Sequence, residues 1–512
     1  MGSVTYWDLL IIVFYLLAVL GYGLWKARNV STSDDFLVAG RTLGLFVLVG
    51  TLVMTEFNTA TMIGYASYGY MGGRLGTLLA LALVIALGSY TLLVAKRWKR
   101  LNAVSVAEMF MERYNYKFKI LAVILIVFTL SLLSTTYLKA AAMVFSTTMN
   151  LSLFWTVILI SCVVLIFTLA GGLVSVSFTN LLSFIIALVA LPCLFIISCI
   201  KANELGGLNA AFEDKYLSFN ILKTWDDPIL SFKFIFTVYL FGFFVYLNSP
   251  WYGQIMFATK NEKVAYKGVF IATLLTFGVY WVAIYVAAYA RVGFPDLKDP
   301  QYALPMVILN WMPVGIKGLT LALIFSIAQT TMATIWNNNV SIITQDIYKG
   351  IFRPEASDKN ILRFSRILTL FIALFTIIIS LLFVDIVLKV MFVANIFMVS
   401  LFFPGVFGFF WWKTGEKAIW ITTLLGIISG WTIFLLKEFA NESLPIYLQQ
   451  QDWLFLYCCI ITPTIIIIGI ITSLLEKENK ESIARRVDFY NKVGPPWVGK
   501  KEYLKYKKIL DR

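Results

Sequence analysis

The stretch TLVMTEFNTATMIGY, beginning at Thr51, sets a single carboxylate, Glu56, among hydroxyls, an amide and apolar side chains. An ionised carboxylate at the centre of a bilayer costs on the order of 2.5–3.5 kcal/mol on insertion scales, so such a group faces a partner, water or an ion. Its neighbours Thr55, Asn58, Thr59, Thr61 and Gly64 are weak helix formers. A helix broken here frees backbone carbonyls, which a membrane interior tolerates only beside protein or a cavity. Carbonyls with a carboxylate make a hard oxygen site for an alkali cation; a paired structural glutamate is the other reading. A second group lies in IFSIAQTTMATIWNNNVSIITQDIYKG, where Thr330, Thr331 and Thr334 are followed by Asn337, Asn338 and Asn339. Hydroxyl oxygens suit sodium, whereas thiolates and imidazoles suit transition metals; each threonine can instead bond back to a carbonyl one turn earlier. Lys139, in STTYLKAAAMVF, sits too deep to snorkel. It could pair with Glu56, hold an anionic group of a substrate or face a wet cavity. In FGFFVYLNSPWYGQ, Pro250 and Gly253 end an apolar run beside Tyr246, Asn248 and Trp251, which offer aromatic faces and an amide to a cavity or serve as packing.

The elements that must position these residues are membrane helices. The 512 residues are 60% hydrophobic with a mean hydropathy of +0.83, outside the range of a soluble domain. Crossing hydrocarbon takes about 20 apolar residues, and thirteen runs qualify as spans 1 to 13. They cover residues 6–25, 43–66, 76–95, 120–147, 154–169, 174–200, 229–248, 269–292, 315–343, 361–383, 386–410, 419–436 and 454–475. Residues 1–475 therefore read as one polytopic all-α unit and 476–512 as a basic tail. Span 1 lacks a basic n-region and a cleavage site, so it is kept as a span, and no lipid anchor is expected. The net charge of +14 is concentrated in loops after odd-numbered spans and in the tail. The positive-inside rule then puts the N-terminus outside and the C-terminus in the cytoplasm of a plasma membrane, as in a multi-pass bacterial inner-membrane protein. The tail reads as an orientation signal near anionic lipid, not as a nucleic-acid binder. Residues 201–227 read as an extracellular cap, and 102–118 as an amphipathic segment along the inner interface. Without histidine, a Walker A motif or a nucleophile and base pair, the sequence gives no sign of an enzyme, and no organic cofactor is expected. The five cysteines lie in or beside apolar spans and imply no disulfide framework.

Four stretches, taken in order over 34–419, resemble the sodium/solute symporter family. DDFLVAGRTLG resembles its DFFLAGRSLP, and FTLAGGLVSVSFTN its YTxxGGLxAVxxTD. ATIWNNNVSIITQDIYK resembles STxxSxLLxxSxxxxxDIYK, and FFPGVFGFFWWKTGEKAI resembles APVLLGLFWKRxTKxGA. The resemblance implies a LeuT-type core of two inverted five-helix repeats, spans 2–6 and 7–11, or roughly residues 43–200 and 228–411, with spans 2 and 7 discontinuous. It implies a sodium ion held by carbonyls of Met54, Phe57 and Ile327 and hydroxyls of Thr330 and Thr331, with Glu56 where some amino-acid-transporting members carry an aspartate important for sodium. Two departures stand out: Asn180 replaces the family's aspartate and Ser183 its glutamine, which puts a second sodium in doubt, and Ile255 follows Gln254 where the family has arginine.

The resulting expectation is secondary active transport, sodium-coupled symport of a small organic solute by alternating access. Thr59, Thr61, Lys139, Tyr246 and Asn248 are the expected solute contacts. Lys139 tilts the expected solute towards an amino acid or other carboxylate rather than a sugar. A proton-coupled or sugar-type carrier of the same fold, and a channel or transporter-derived sensor, are the alternatives.

Overall fold

The computed structural model describes residues 4–28, 32–220, 225, 227, 229–383 and 387–511. Among these the secondary structure is helical, with two isolated bridges, Leu43 to Thr259 and Trp411 to Val498. Nine described helices are long and apolar enough to cross a membrane, or eleven if two bent pairs each count as one. The two remaining expected spans, 2 and 5, begin on the shorter apolar helices Leu45–Glu56 and Leu153–Ile166. The first residue of span 11, parts of the loop at 201–227 and the start of the second repeat at 228 lie outside the described residues.

Local sequence explains the breaks. In span 2, Leu45–Glu56 stops at Phe57 (φ −74°, ψ 80°), and Thr59–Gly72 starts under Asn58, whose Oδ1 accepts from Thr61 N at 2.8 Å. The carbonyl freed at Glu56 accepts from Asn58 N at 2.8 Å and Asn58 Nδ2 at 3.0 Å, so one asparagine both starts the new helix and covers the end of the old one. Span 7 bends by 45° between Phe232–Tyr246 and Pro250–Ala258. Ser249 caps the second half, and Pro250 occupies a first-turn position where no N–H is needed. Span 11 bends by 41° between Lys389–Ser400 and Phe403–Phe410, where Pro404 removes a donor; sequence reading did not foresee this break. Spans 5 and 6 meet at Gly172, whose φ of 51° and ψ of −141° favour glycine.

Span 9, the helix Ile316–Ile342 continued by the π-helical Ile343–Phe352, is the axis of the bundle. Its apolar window is 94% buried, against 28% for span 1. Spans 1, 4, 5 and 6 pack on it, and Leu45–Glu56 lies alongside. Asp8 of span 1, fully buried, caps its start by accepting from Gly315 N at 2.8 Å and Gly318 N at 2.9 Å.

Loops after odd-numbered spans gather on one face, hereafter the basic face. Arg41 donates to Asn102 O at 3.0 Å, Arg100 pairs with Glu262 at 3.0 Å, and Lys119 pairs with Asp346 at 2.7 Å. Burial pushes Lys99 down to about 8, with the Arg41 charge adding to the effect; its Nζ donates to Phe257 O at 3.2 Å and Thr259 O at 2.5 Å. The tail is not a loose basic strand at a lipid surface. It forms helices Lys480–Val493 and Lys500–Leu510, and its buried face (Val487, Phe489, Tyr490, Tyr503) packs against protein. The segment 102–118 likewise turns inward as a short helix, Glu108–Arg113, with Met109, Phe110 and Arg113 buried.

Candidate functional site

The break in span 2 creates two neighbouring polar sets. The first faces span 9. Thr330 Oγ1 lies 3.2 Å from Met54 O and 3.1 Å from Ile327 O, and Thr331 Oγ1 lies 3.1 Å from Met54 O. Both threonines are buried, so two hydroxyls and two carbonyls converge from two helices far apart in sequence. All are neutral oxygens, the donor set that suits sodium. Among the described residues no cluster of three His, Cys, Asp or Glu side chains could hold another kind of metal ion. Thr334 extends the set, because its Oγ1 meets Thr55 Oγ1 at 3.4 Å and accepts from Asn180 Nδ2 at 3.4 Å. Asn180 thus brings an amide to this place, where an aspartate would bring a charge. Ser183, the other departure, lies 3.1 Å from the Tyr15 hydroxyl.

The second set surrounds Glu56, which the structure turns away from the threonines. Its carboxylate accepts from the hydroxyls of Tyr246, Tyr252 at 3.3 Å and Tyr280 at 3.2 Å, and Tyr280 also reaches the Glu56 carbonyl at 3.1 Å. Hydrogen bonds to a charged acceptor are worth about 1.5–3 kcal/mol each, enough together to offset the insertion cost of a buried carboxylate. Beside it lies a cavity of about 50 Å³ lined by Thr55, Glu56, Asn58, Thr61, Tyr137, Tyr246, Trp251 and Asn395, together with apolar side chains of spans 3, 4, 7, 9 and 11. At roughly 10–15 Å³ for each water, this space holds a few waters.

The expected residues separate accordingly. Met54, Ile327, Thr330 and Thr331 are brought together; Phe57, whose carbonyl was the expected ligand, caps the end of the same helix, and its buried ring packs on Tyr280 at 6.4 Å. Thr61 and Tyr246 line the cavity with Glu56. Thr59 does not: its hydroxyl donates to Tyr137 O at 2.6 Å and joins span 2 to span 4. Asn248 is buried against Gly405 at the bend of span 7, outside the cavity lining. Lys139 faces span 10, where Nζ donates to Ser380 O at 3.4 Å, so neither Glu56 nor the cavity receives its charge. Sequence reading missed Tyr252, Tyr280, Tyr137 and Asn395. Asn395 carried a usable signal, an amide inside the apolar VMFVANIFMVS; the tyrosines were lost among the chain's 25.

The sequence profile of the sodium:solute symporter family matches residues 36–426. The sodium/glucose cotransporter of Vibrio parahaemolyticus is 21% identical, over 90% of this chain and 90% of its own length. The human sodium/myo-inositol cotransporter 2 is 22% identical, over 93% of this chain and 78% of its own. Among solved structures, a Na+-coupled sialic acid symporter in a substrate-bound outward-open state superposes with a TM-score of 0.75 at 17% identity, covering 93% of this chain and 99% of that one. MhsT in complex with L-phenylalanine gives a TM-score of 0.54 at 13% identity, covering 84% of this chain and 99% of that one. These likenesses establish the expected LeuT-type fold, and the family profile covers both halves of the polar centre. This chain belongs to the sodium:solute symporter family, whose members are membrane transporters and not enzymes.

Proposed function

We propose that this chain couples sodium entry to the uptake of a small neutral polyhydroxylated solute bound beside Glu56. Sodium coupling itself follows from family membership; the solute is inferred from the cavity. The observation that carries it is the character of the cavity lining, which offers one carboxylate, two amides, hydroxyls and aromatic faces and no cationic side chain. Hydroxyl-rich solutes are recognised by such acceptors and donors, with ring faces against their C–H surfaces. With Lys139 held by span 10, the reason for preferring a carboxylate is gone. The names of the sodium/glucose and sodium/myo-inositol relatives point the same way. An amino acid is the second reading, favoured by one feature: Glu56 could receive its ammonium group.

Sodium at Met54, Ile327, Thr330 and Thr331 ties span 2 to span 9. The hydroxyls now pointing at carbonyls would turn their lone pairs to the ion, fixing the first half of span 2 and with it Glu56 and its tyrosines. Solute then binds to an assembled site, so each ligand favours the conformation the other needs. The repeats at roughly 43–200 and 228–411 rock about this centre, and the basic face is cytoplasmic, in a plasma membrane.

Uptake into proteoliposomes with sodium and proton gradients imposed separately tests the reading. Sodium-driven accumulation, competed by sugars or cyclitols and not by carboxylic acids, is the expected result. Accumulation that ignores sodium and follows the pH gradient, or competition by amino acids alone, would replace it. Thr330→Ala with Thr331→Ala is expected to raise the sodium concentration for half-maximal uptake by about tenfold or more, the scale of one lost ligand interaction.

A further inference from the structure

The polar face of span 9 does not end at the paired threonines. Asn338 follows Thr331 by seven residues, two turns further on the same face and ~10 Å nearer the basic side. Ser341 follows Thr334 in the same way. Asn338 is fully buried, and neither its Oδ1 nor its Nδ2 has a hydrogen-bond partner among the described residues. One turn beyond Asn338, span 9 meets Gln254 of the second half of span 7, which donates Nε2 to Leu37 O at 2.9 Å while its Oε1 has no partner among the described residues. Ser341 Oγ reaches the same Leu37 carbonyl at 3.5 Å, so the two spans meet at one backbone oxygen. Buried amides are ordinarily satisfied. Asn339, about 100° round the helix, has its Nδ2 tied to Ser131 Oγ at 3.1 Å while its Oδ1 has no partner among the described residues, and neither has either amide atom of Asn337.

We propose that Asn338, Gln254 and the Leu37 carbonyl form an inner station for an alkali cation, between the Thr330–Thr331 site and the cytoplasm. The proposal rests on the sodium-coupled reading. Amide and carbonyl oxygens are the neutral hard donors such an ion takes when it gives up the threonines. The Gln254–Leu37 bond ties span 7 to the helix Ser33–Val38 in the loop after span 1, and so stands between the station and the basic face. Opening that bond releases the ion, so release is governed at this station and not at Thr330 and Thr331.

Three variants in sodium-loaded proteoliposomes test the station. Asn338→Leu keeps the branched shape and removes the oxygen. It is expected to slow maximal uptake and 22Na+ efflux through the carrier by about tenfold, the scale of one lost polar interaction, with little change in the external sodium needed for half-maximal uptake. Asn338→Ser restores a polar oxygen and is expected to recover most of the rate. Asn338→Cys, in a background whose native cysteines are replaced by serine, is expected to react with a small membrane-impermeant thiol reagent from the basic face during turnover. Unaltered efflux in Asn338→Leu, or a cysteine inert from that face, would overturn the station while sodium-dependent uptake by the parent left the sodium reading standing. Sodium-independent uptake by the parent would remove both.

Discussion

Met54 and Glu56 show how a two-residue difference in position, about half a helical turn, divides labour. Met54, two residues before Glu56, turns its carbonyl to the threonines of span 9, while Glu56 turns its carboxylate to tyrosines of spans 7 and 8. The break at Phe57 allows both, because it leaves the Met54 carbonyl, near the end of the helix, without a helical donor: Asn58 N turns to Glu56 O instead. Removing a cavity hydroxyl therefore differs from removing a hydroxyl of the proposed sodium site. Tyr246→Phe leaves the ring and deletes one donor to Glu56 at the cavity wall. It is expected to raise the solute concentration for half-maximal uptake by about tenfold while leaving the sodium requirement in place. Thr331→Ala is expected to do the reverse. Measuring each variant's uptake against sodium at saturating solute, and against solute at saturating sodium, separates them; equal shifts in both would mean one merged site.

At the scale of elements, the spans were legible because about 20 apolar residues are what a bilayer demands, and little else produces that pattern. The break in span 2 was legible from the weak helix formers around Asn58; that in span 7 came only with the family resemblance, because Pro250 reads equally as the end of an apolar run. The break at Pro404 was not legible, because one proline in an apolar run does not announce whether the helix bends or merely tolerates it. The tyrosine partners of Glu56 were beyond reach for a different reason. They come from spans 7 and 8, 190 to 224 residues away, and no local pattern specifies which faces of distant helices will meet. Nor could spacing reveal that Lys139 faces span 10. Asp8 illustrates an element held by another: a carboxylate of span 1 satisfies the first free N–H groups of span 9, and Asp8 Oδ2 accepts from Thr5 N at 3.0 Å and Thr5 Oγ1 at 2.8 Å. Asp8→Ala is expected to cost about 1–2 kcal/mol and to lower the melting temperature in detergent by a few degrees. Because span 9 carries the proposed sodium site, added sodium is expected to recover part of that loss, through its binding to the folded state alone. A melt unmoved by the substitution would show that water caps the helix equally well.

Across the whole molecule, the basic face is held together by a tail that the charge pattern alone could not interpret. A run rich in lysine and arginine suits anionic lipid as well as it suits backbone carbonyls, and only the fold shows which partners it finds. Here Arg97, after span 3, donates to Phe409 O at 2.7 Å, Gly494 O at 3.2 Å and Pro495 O at 2.8 Å, linking span 3, the end of span 11 and the tail. Tyr490 donates to Gly408 O at 2.9 Å and Trp411 O at 3.0 Å, and Arg113 donates to Gly408 O at 3.0 Å and Trp412 O at 3.1 Å. The last carbonyls of span 11, which no helix hydrogen bond can satisfy, are taken by these side chains. Ending the chain after Lys477 would leave the thirteen spans and the basic loops that orient them, so insertion is expected to be normal. The carbonyls of span 11 and the aromatic face of Trp412 would lose their cover, and the purified carrier is expected to melt several degrees lower, with solute uptake reduced more than the amount inserted. Full uptake with an unchanged melt would return the tail to the role its charge first suggested, an orientation signal with no part in the fold. Tyr490→Phe separates the two outcomes within the intact chain: it removes the hydroxyl that reaches Gly408 and Trp411 but leaves the charge untouched, so a lowered melt in that variant assigns the effect to docking and not to lipid.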